Sequence, residues 1–389
     1  MISVVRIQGR GEHGKPHFGS VSSTLYACLI VLLFSACRQA ANPHTAHLQQ
    51  RLDRREASRR FRSTILRTGG DDVWMKAWPY PRDHAGQTSR VGNVIADSGS
   101  FERILAAVKS EGAAEGLEVA VATYVTLGGM GIADVKVKRH TREILGWRLR
   151  EVPRLRRVAI VIDDLGQNFD RTQAFLALDA PLTFSILPDL PASRSTAVGV
   201  HRAGRDAMLH LPMEPRPGPH ASPGKDDLSV GMSRGEVNRI IEQDLASVPF
   251  VAGVNNHMGS RATADPKLMQ SVMAVLAERR LFFIDSRTTP YSVALVAARR
   301  RGVPAFYRSV FLDDQPSVPY TLGQLRRLAS AAARQGEALA IGHPYPTTLI
   351  ALSQFLPELD REDIALVPAA TLVRLPEVAR MSPPTHLER

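Results

Sequence analysis

From Arg157 onward the chain alternates short apolar runs with longer amphipathic ones, and this alternation restricts the fold more than any other feature. The apolar runs are "VAIVID", "LTFSIL", "AMLHL", "VAGVNN", "LFFID", "AFYRSVFL", "ALAIGH" and "IALVP". Segments such as "MSRGEVNRIIEQDL", "DPKLMQSVMAVLAERR" and "TLGQLRRLASAAARQG" separate them, with apolar residues at helical spacing. Seven or eight β-α units in series predict a parallel sheet, either a βα-barrel or an open doubly wound sheet. The runs lack clean apolar–polar alternation, which predicts a sheet covered on both faces.

The C-terminal ends of parallel strands form the functional face of such folds. The first run ends in two adjacent acids, Asp163 and Asp164. Side chains alternate faces along a strand, so two successive acids share a face only where the strand is already turning. Other strand ends carry His210 with Glu214 close behind, His257 after two asparagines, Asp285, and His343. Asp and His together suit Zn²⁺ or a similar divalent ion, and a catalytic ion takes about three protein ligands plus an open position. The remaining acids and histidines can then serve as base and acid. On this reading one aspartate of the pair binds metal while its neighbour takes a proton. Structural roles compete with these: a helix N-cap for Asp285, a buried core histidine for His210, a satisfied turn residue for His257.

Taken in order, "AIVIDD", "AMLHLPMEP", "VNNHMGS", "FFIDSRTT" and "LAIGHPYP" resemble the divergent polysaccharide deacetylases, remote relatives of the esterases that deacetylate chitin and peptidoglycan. The resemblance covers about residues 155 to 375. It implies an α/β fold, a distorted parallel βα-barrel of seven or eight strands with a metal at its mouth. It also implies Asp163 as catalytic base, Asp164 as metal ligand, His343 as catalytic acid, and Asp285 as the acid that holds or tunes His343. The broader superfamily has two His ligands in its second motif. Here only His210 is present, with Glu214 where the second would stand, so His257 is the candidate third ligand and Glu214 the alternative. The implied activity is metal-dependent removal of acetyl groups from an N-acetylated, peptidoglycan- or chitin-like envelope polysaccharide, with Zn²⁺ as the expected ion. The missing second histidine supports an alternative, a non-catalytic envelope protein that keeps the barrel and binds a glycan or a partner.

Charge separates the chain into two parts. Residues 1–157 hold 25 Lys+Arg and 14 Asp+Glu, whereas residues 158–389 hold 24 of each. The net charge of +11 therefore lies entirely before the segment that begins with "VAIVIDD" at Val158. A neutral barrel offers no basic groove for nucleic acid, and a basic N-terminal arm suits an anionic membrane or cell wall. The apolar run Leu25 to Ala36 is too short for a spanning helix, which needs about 20 residues. With Arg6, Arg10 and Lys15 before it and "FSAC" at its end, it reads as a signal segment whose Cys37 resembles a lipoprotein processing site. The expectation is export to the periplasm, or membrane anchoring through Cys37. Residues 1–37 form this segment, 38–70 an Arg-rich tether, 71–154 a small α+β appendage with Ser100 placed to cap a helix, 155–375 the barrel and 376–389 a tail. Cys28 and Cys37 are the only cysteines, so no disulfide or thiol chemistry is expected in the folded part.

Overall fold

A computed structural model describes residues 43–77, 92–178, 180–218 and 226–374. The first element is a long helix, α1 (Pro43–Gly69), over the segment expected to be a tether. From Ser58 onward it is part of one unit with the rest of the chain. Phe61 and Ile65, four residues apart on one helix face, are both fully buried. The Phe61 ring lies 5.7 Å from that of Trp147, and Thr64 donates to Glu111. Burying a side chain of this size contributes about 1.5–3 kcal/mol, enough to fix a helix that its arginines disguise.

Next comes a five-stranded sheet: β1 (Val73–Ala77), β2 (Gly92–Asp97), β3 (Glu118–Val125), β4 (Gly131–Arg139) and β5 (Arg142–Val152), in the order β1-β2-β5-β4-β3. The helix α2 (Ser98–Ala114) connects β2 to β3. Its cap is not Ser100. Asp97 holds that position and its carboxylate accepts from the Ser100 amide at 2.8 Å.

The second sheet is parallel throughout. Its strands are β6 (Arg156–Leu165), β7 (Thr183–Ile186), β8 (Asp206–Met213), β9 (Val251–Met258), β10 (Phe282–Asp285), β11 (Ala305–Tyr307), β12 (Val310–Phe311), β13 (Glu337–Gly342) and β14 (Ile364–Leu366). The order is β11-β10-β9-β8-β7-β6-β13-β12. The run "AFYRSVFL" reads as one strand in sequence but is divided between the two ends of this order. Its first half, β11, pairs with β10, and its second half, β12, pairs with β13. One bent segment thus serves both edges, and the sheet must curl to reach it. This is the distorted parallel barrel expected from the sequence. β14 takes the edge of β6 at residues 156–158, before β7 takes over at Val161. Helices α3 (Phe169–Leu176), α4 (Ser193–Arg202), α5 (Arg234–Ser247), α6 (Pro266–Arg279), α7 (Ala294–Arg301), α8 (Val318–Gln335), α9 (Pro346–Arg361) and α10 (Ala369–Leu372) connect or follow the strands.

Two apolar clusters explain why the runs do not alternate. Val158, Ile160 and Ile162 pack outward with helix residues such as Leu325 and Leu328. Ala159 and Val161 pack inward with Met208, Ile284, Leu339 and Ile341. Both faces of β6 are therefore dry, and inward residues carry odd numbers along that strand.

Among the described residues, the helical layer holds a buried acid with an unpaired oxygen. Asp244 in α5 is only 4% exposed, and its Oδ2 has no hydrogen-bond partner among the described residues. Burial, reinforced by Asp189 and Asp226, pushes its carboxyl up to about 7. The folded chain therefore keeps a proton that the unfolded chain releases near pH 4, and stability falls as pH rises from 4 to 7. Asp244→Asn is expected to raise unfolding free energy at pH 8 by up to about 4 kcal/mol and to change it little at pH 4. Urea denaturation at the two pH values reads this, and equal effects at both would show that the carboxylate is solvated.

Candidate active site

By alternation Asp163 follows Val161 into the barrel interior, whereas Asp164 should follow Ile162 outward. The backbone prevents that. Asp164 has φ +55°, and the β6–β7 register breaks between Ile162 and Leu165. A left-handed residue at a strand end turns the chain, so both carboxylates reach the barrel mouth. Such a conformation is costly for a residue other than glycine, and strain of this kind collects at functional sites.

There, three ligand-type atoms converge. His210 Nε2 and His257 Nδ1 each lie 3.1 Å from Asp164 Oδ1. The two ring nitrogens are also 3.1 Å from each other. Neither contact meets the geometry of a directed hydrogen bond to this buried oxygen. Burial alone would raise the Asp164 carboxyl, but the two imidazoles hold it well below the usual carboxylate range. Ligands about 2.0–2.1 Å from a tetrahedral ion stand roughly 3.4 Å apart. A near-equilateral triangle of one carboxylate oxygen and two imidazole nitrogens therefore fits a divalent ion at Asp164, His210 and His257.

Asn255 organises the centre from below, and sequence reasoning left it without a role. Its Oδ1 accepts from His210 Nδ1 at 2.9 Å and from Ser185 Oγ at 2.5 Å. A carbonyl oxygen can only accept, so His210 carries its proton on Nδ1 and presents the Nε2 lone pair to the Asp164 side. The Asn255 amide donates to both oxygens of Asp163, at 2.9 and 3.0 Å. Asp163 is 3% exposed. Burial pushes its carboxyl up, against the pull of His210 and His343. That suits a proton acceptor working near neutral pH.

His343 stands on the same rim, its Nε2 3.7 Å from Asp164 Oδ2. Its carboxylate partner is Asp313, not Asp285. Asp313 Oδ1 accepts from His343 Nδ1 at 2.9 Å, and Oδ2 accepts from the His343 amide and from Thr348 Oγ1, both at 2.6 Å. Burial opposes a charged ring here, but Asp313, aided by Asp164 and Asp163, pushes His343 up to about 9. The correction for Asp285 has a simple cause. Ile284 packs inward, so Asp285 faces the other way. Its carboxylate accepts from the Arg287 amide and from Ser292 Oγ, each at 2.8 Å. The sequence did hold a signal for Asp313: "VFLDD" repeats the pattern of "VIDD", an apolar strand ending in paired acids.

Glu214 is committed elsewhere. Its Oε1 pairs with Arg261 at 2.5 Å and its Oε2 accepts from the Val230 amide at 2.8 Å. Neither oxygen belongs to the Asp164–His210–His257 group.

Comparison with known proteins identifies the family of the barrel. The family model described as divergent polysaccharide deacetylase matches residues 160–373. The Escherichia coli K12 protein YibQ, described as uncharacterized, is 38% identical over 230 residues, covering 59% of this chain and 71% of that protein. An uncharacterized Haemophilus influenzae protein is 38% identical over 227 residues, covering 58% and 80%. The crystal structure of the uncharacterized protein ATU2773 from Agrobacterium tumefaciens superposes with a TM-score of 0.54 at 26% identity, covering 57% of this chain and 90% of that one. Because the matched span begins within the first barrel strand and ends just past the last helix, the chain belongs to the divergent polysaccharide deacetylase family.

Proposed function

We propose that the protein is a divalent-metal-dependent hydrolase that removes acetyl groups from an N-acetylated cell-envelope polysaccharide. The observation that carries this reading is the triangle of Asp164 Oδ1, His210 Nε2 and His257 Nδ1, with a buried carboxylate and a charged imidazole on the same rim. The donor set, one carboxylate and two imidazoles, favours Zn²⁺. An ion held there supplies Lewis acidity, lowering the pKa of water toward about 7 and stabilising negative charge on the acyl oxygen.

The chain's own residues handle the protons. Asp163 receives the proton of the attacking water, held in place by Asn255 and by its 3.5 Å approach to His210. As the carbon–nitrogen bond breaks, the departing amine takes a proton from His343. Asp313 keeps that ring charged and oriented until then. The substrate class, a peptidoglycan- or chitin-like glycan, rests on family membership. The expected export signal and the Cys37 anchor lie outside the described residues. Periplasmic or membrane-anchored placement follows from the sequence pattern alone. Among the described residues no helix is long and apolar enough to cross a membrane.

The test is metal analysis of the purified full chain combined with acetate release from chitin oligomers and peptidoglycan fragments. Stoichiometric zinc and acetate release abolished by chelation are expected. Tight glycan binding with no acetate from any substrate would replace the enzyme by a binding protein. The ligand assignment is checked separately. His257→Ala is expected to lower metal content by at least about tenfold, whereas Glu214→Ala leaves it unchanged. The reverse ranking would make Glu214 the third ligand.

A further inference from the structure

A cavity of about 500 Å³ opens beside the rim, lined among others by Asp285, Arg287, Ser292, Arg308 and Ser309. The mechanism above uses none of them. Ser286 connects the cavity to the centre. Its hydroxyl accepts from the Asn255 amide at 3.3 Å, the same nitrogen that holds Asp163. Its two chain neighbours, Asp285 and Arg287, line the cavity. The catalytic carboxylate and the cavity wall are thus linked through Asn255 and Ser286.

The cavity is built to present positive charge. Arg308 is fixed by two hydrogen bonds to neutral carbonyls, Nε to Ser286 O at 2.6 Å and Nη2 to Arg287 O at 2.8 Å. Arg287 adopts φ +49°, and its guanidinium lies 4.0 Å over the Tyr307 ring. Among the described residues, neither guanidinium forms a hydrogen bond or an ion pair with a carboxylate. The one acid in the lining has its oxygens occupied by the Arg287 amide and by Ser292. Burial pushes that carboxyl up, against the pull of its hydrogen bonds to the Arg287 amide and Ser292 and of the Arg287 and Arg308 charges. The Arg287 guanidinium over Tyr307, beside the anchored Arg308 and with hydroxyls around both, matches a carboxylate, which a guanidinium fork grips through two parallel bonds.

We propose that this cavity is a subsite for the carboxylate of an acidic sugar that adjoins the acetylated unit. The preferred glycan then carries acidic sugars beside its N-acetylated ones. The placement relative to the acetylated unit rests on the deacetylase reading; the carboxylate site does not.

The experiment measures binding by calorimetry on the full chain. The probes are a tetrasaccharide alternating glucuronic acid with N-acetylglucosamine, its carboxyl-reduced form, and neutral chitotetraose. Wild type is expected to bind the acidic tetrasaccharide at least about tenfold more tightly than the reduced form, the scale of one charge-assisted contact. Arg287→Gln is expected to bring that ratio below about threefold, with chitotetraose affinity unchanged and Arg287→Lys intermediate. Equal wild-type affinity for the acidic and reduced forms would overturn the subsite without any variant. So would a preference that survives Arg287→Gln. Acetate release without charge discrimination would sink the subsite alone, and discrimination without acetate release would sink the catalytic reading alone.

Discussion

Asp163→Asn is expected to retain metal and to lose acetate release by about 10²- to 10⁴-fold, the range general-base catalysis supplies. Asp164→Asn is expected to fail differently, through loss of the metal itself. The two acids are neighbours in sequence, but their surroundings assign them different work. Asp163 is buried, and Asn255 donates to both of its oxygens. A carboxamide at that position still offers one oxygen to Asn255, so the hub that orients His210 survives while the proton acceptor is gone. Asp164 Oδ1 instead stands 3.1 Å from both ring nitrogens, and Asp164→Asn removes the one carboxylate of the triangle. Metal content and initial rate, measured on the same preparations, separate the outcomes. Equal metal loss in both variants would make Asp163 a ligand as well. A rate for Asp163→Asn within tenfold of wild type would remove it from the chemistry.

The faces of Asp163, His210, His343 and Asp285 follow one rule that sequence could not supply. Inward positions are set by Val161, Met208, Ile284 and Ile341. Counting in twos from these puts Asp163, His210 and His343 inside the barrel and Asp285 outside. The rule was hidden because both faces of the sheet are apolar, so a run such as "VAIVID" has no polar face to mark which parity points in. His257 was legible because a histidine at the end of a strand stands out against any parity. The paired acids of "VFLDD" mark Asp313 as a strand-end residue, but its pairing with His343 was hidden, since "AFYRSVFL" reads as a single strand. Only the pairing of its second half with β13 brings Asp313 beside His343, 30 residues later in the chain. Asp164 breaks the parity rule through its left-handed backbone, which no residue pattern announces. The helix packing at α1 was hidden in another way, two buried apolar residues among arginines. The barrel was thus readable from residue order and the convergence of Asp164, His210 and His257 was expected from the family resemblance, while the partners that orient these residues depend on long-range register.

The acid side of the reaction carries the second large effect. His343→Ala is expected to keep metal and to lose about 10²- to 10⁴-fold in rate, most for substrates with a poor amine leaving group. A sharper test leaves the imidazole in place and changes its charge. His343 is pushed up to about 9, with Asp313 the nearest of the carboxylates that hold it there. The active form is the protonated ring, so wild-type rate should hold through pH 8 and fall above about pH 9. Asp313→Asn removes the hydrogen-bonded charge, and the ring should fall back toward the ordinary histidine value near 6.5. At pH 8 a ring of pKa 9 is about nine-tenths protonated, and one of 6.5 only about 3%, so the rate should drop by up to roughly 30-fold. At pH 6 both rings are largely protonated and the two enzymes should nearly match. A merely structural role for Asp313 predicts something else, a loss of similar size at both pH values. The alkaline limb of the Asp313→Asn profile therefore decides whether that carboxylate charges the acid or only holds a loop.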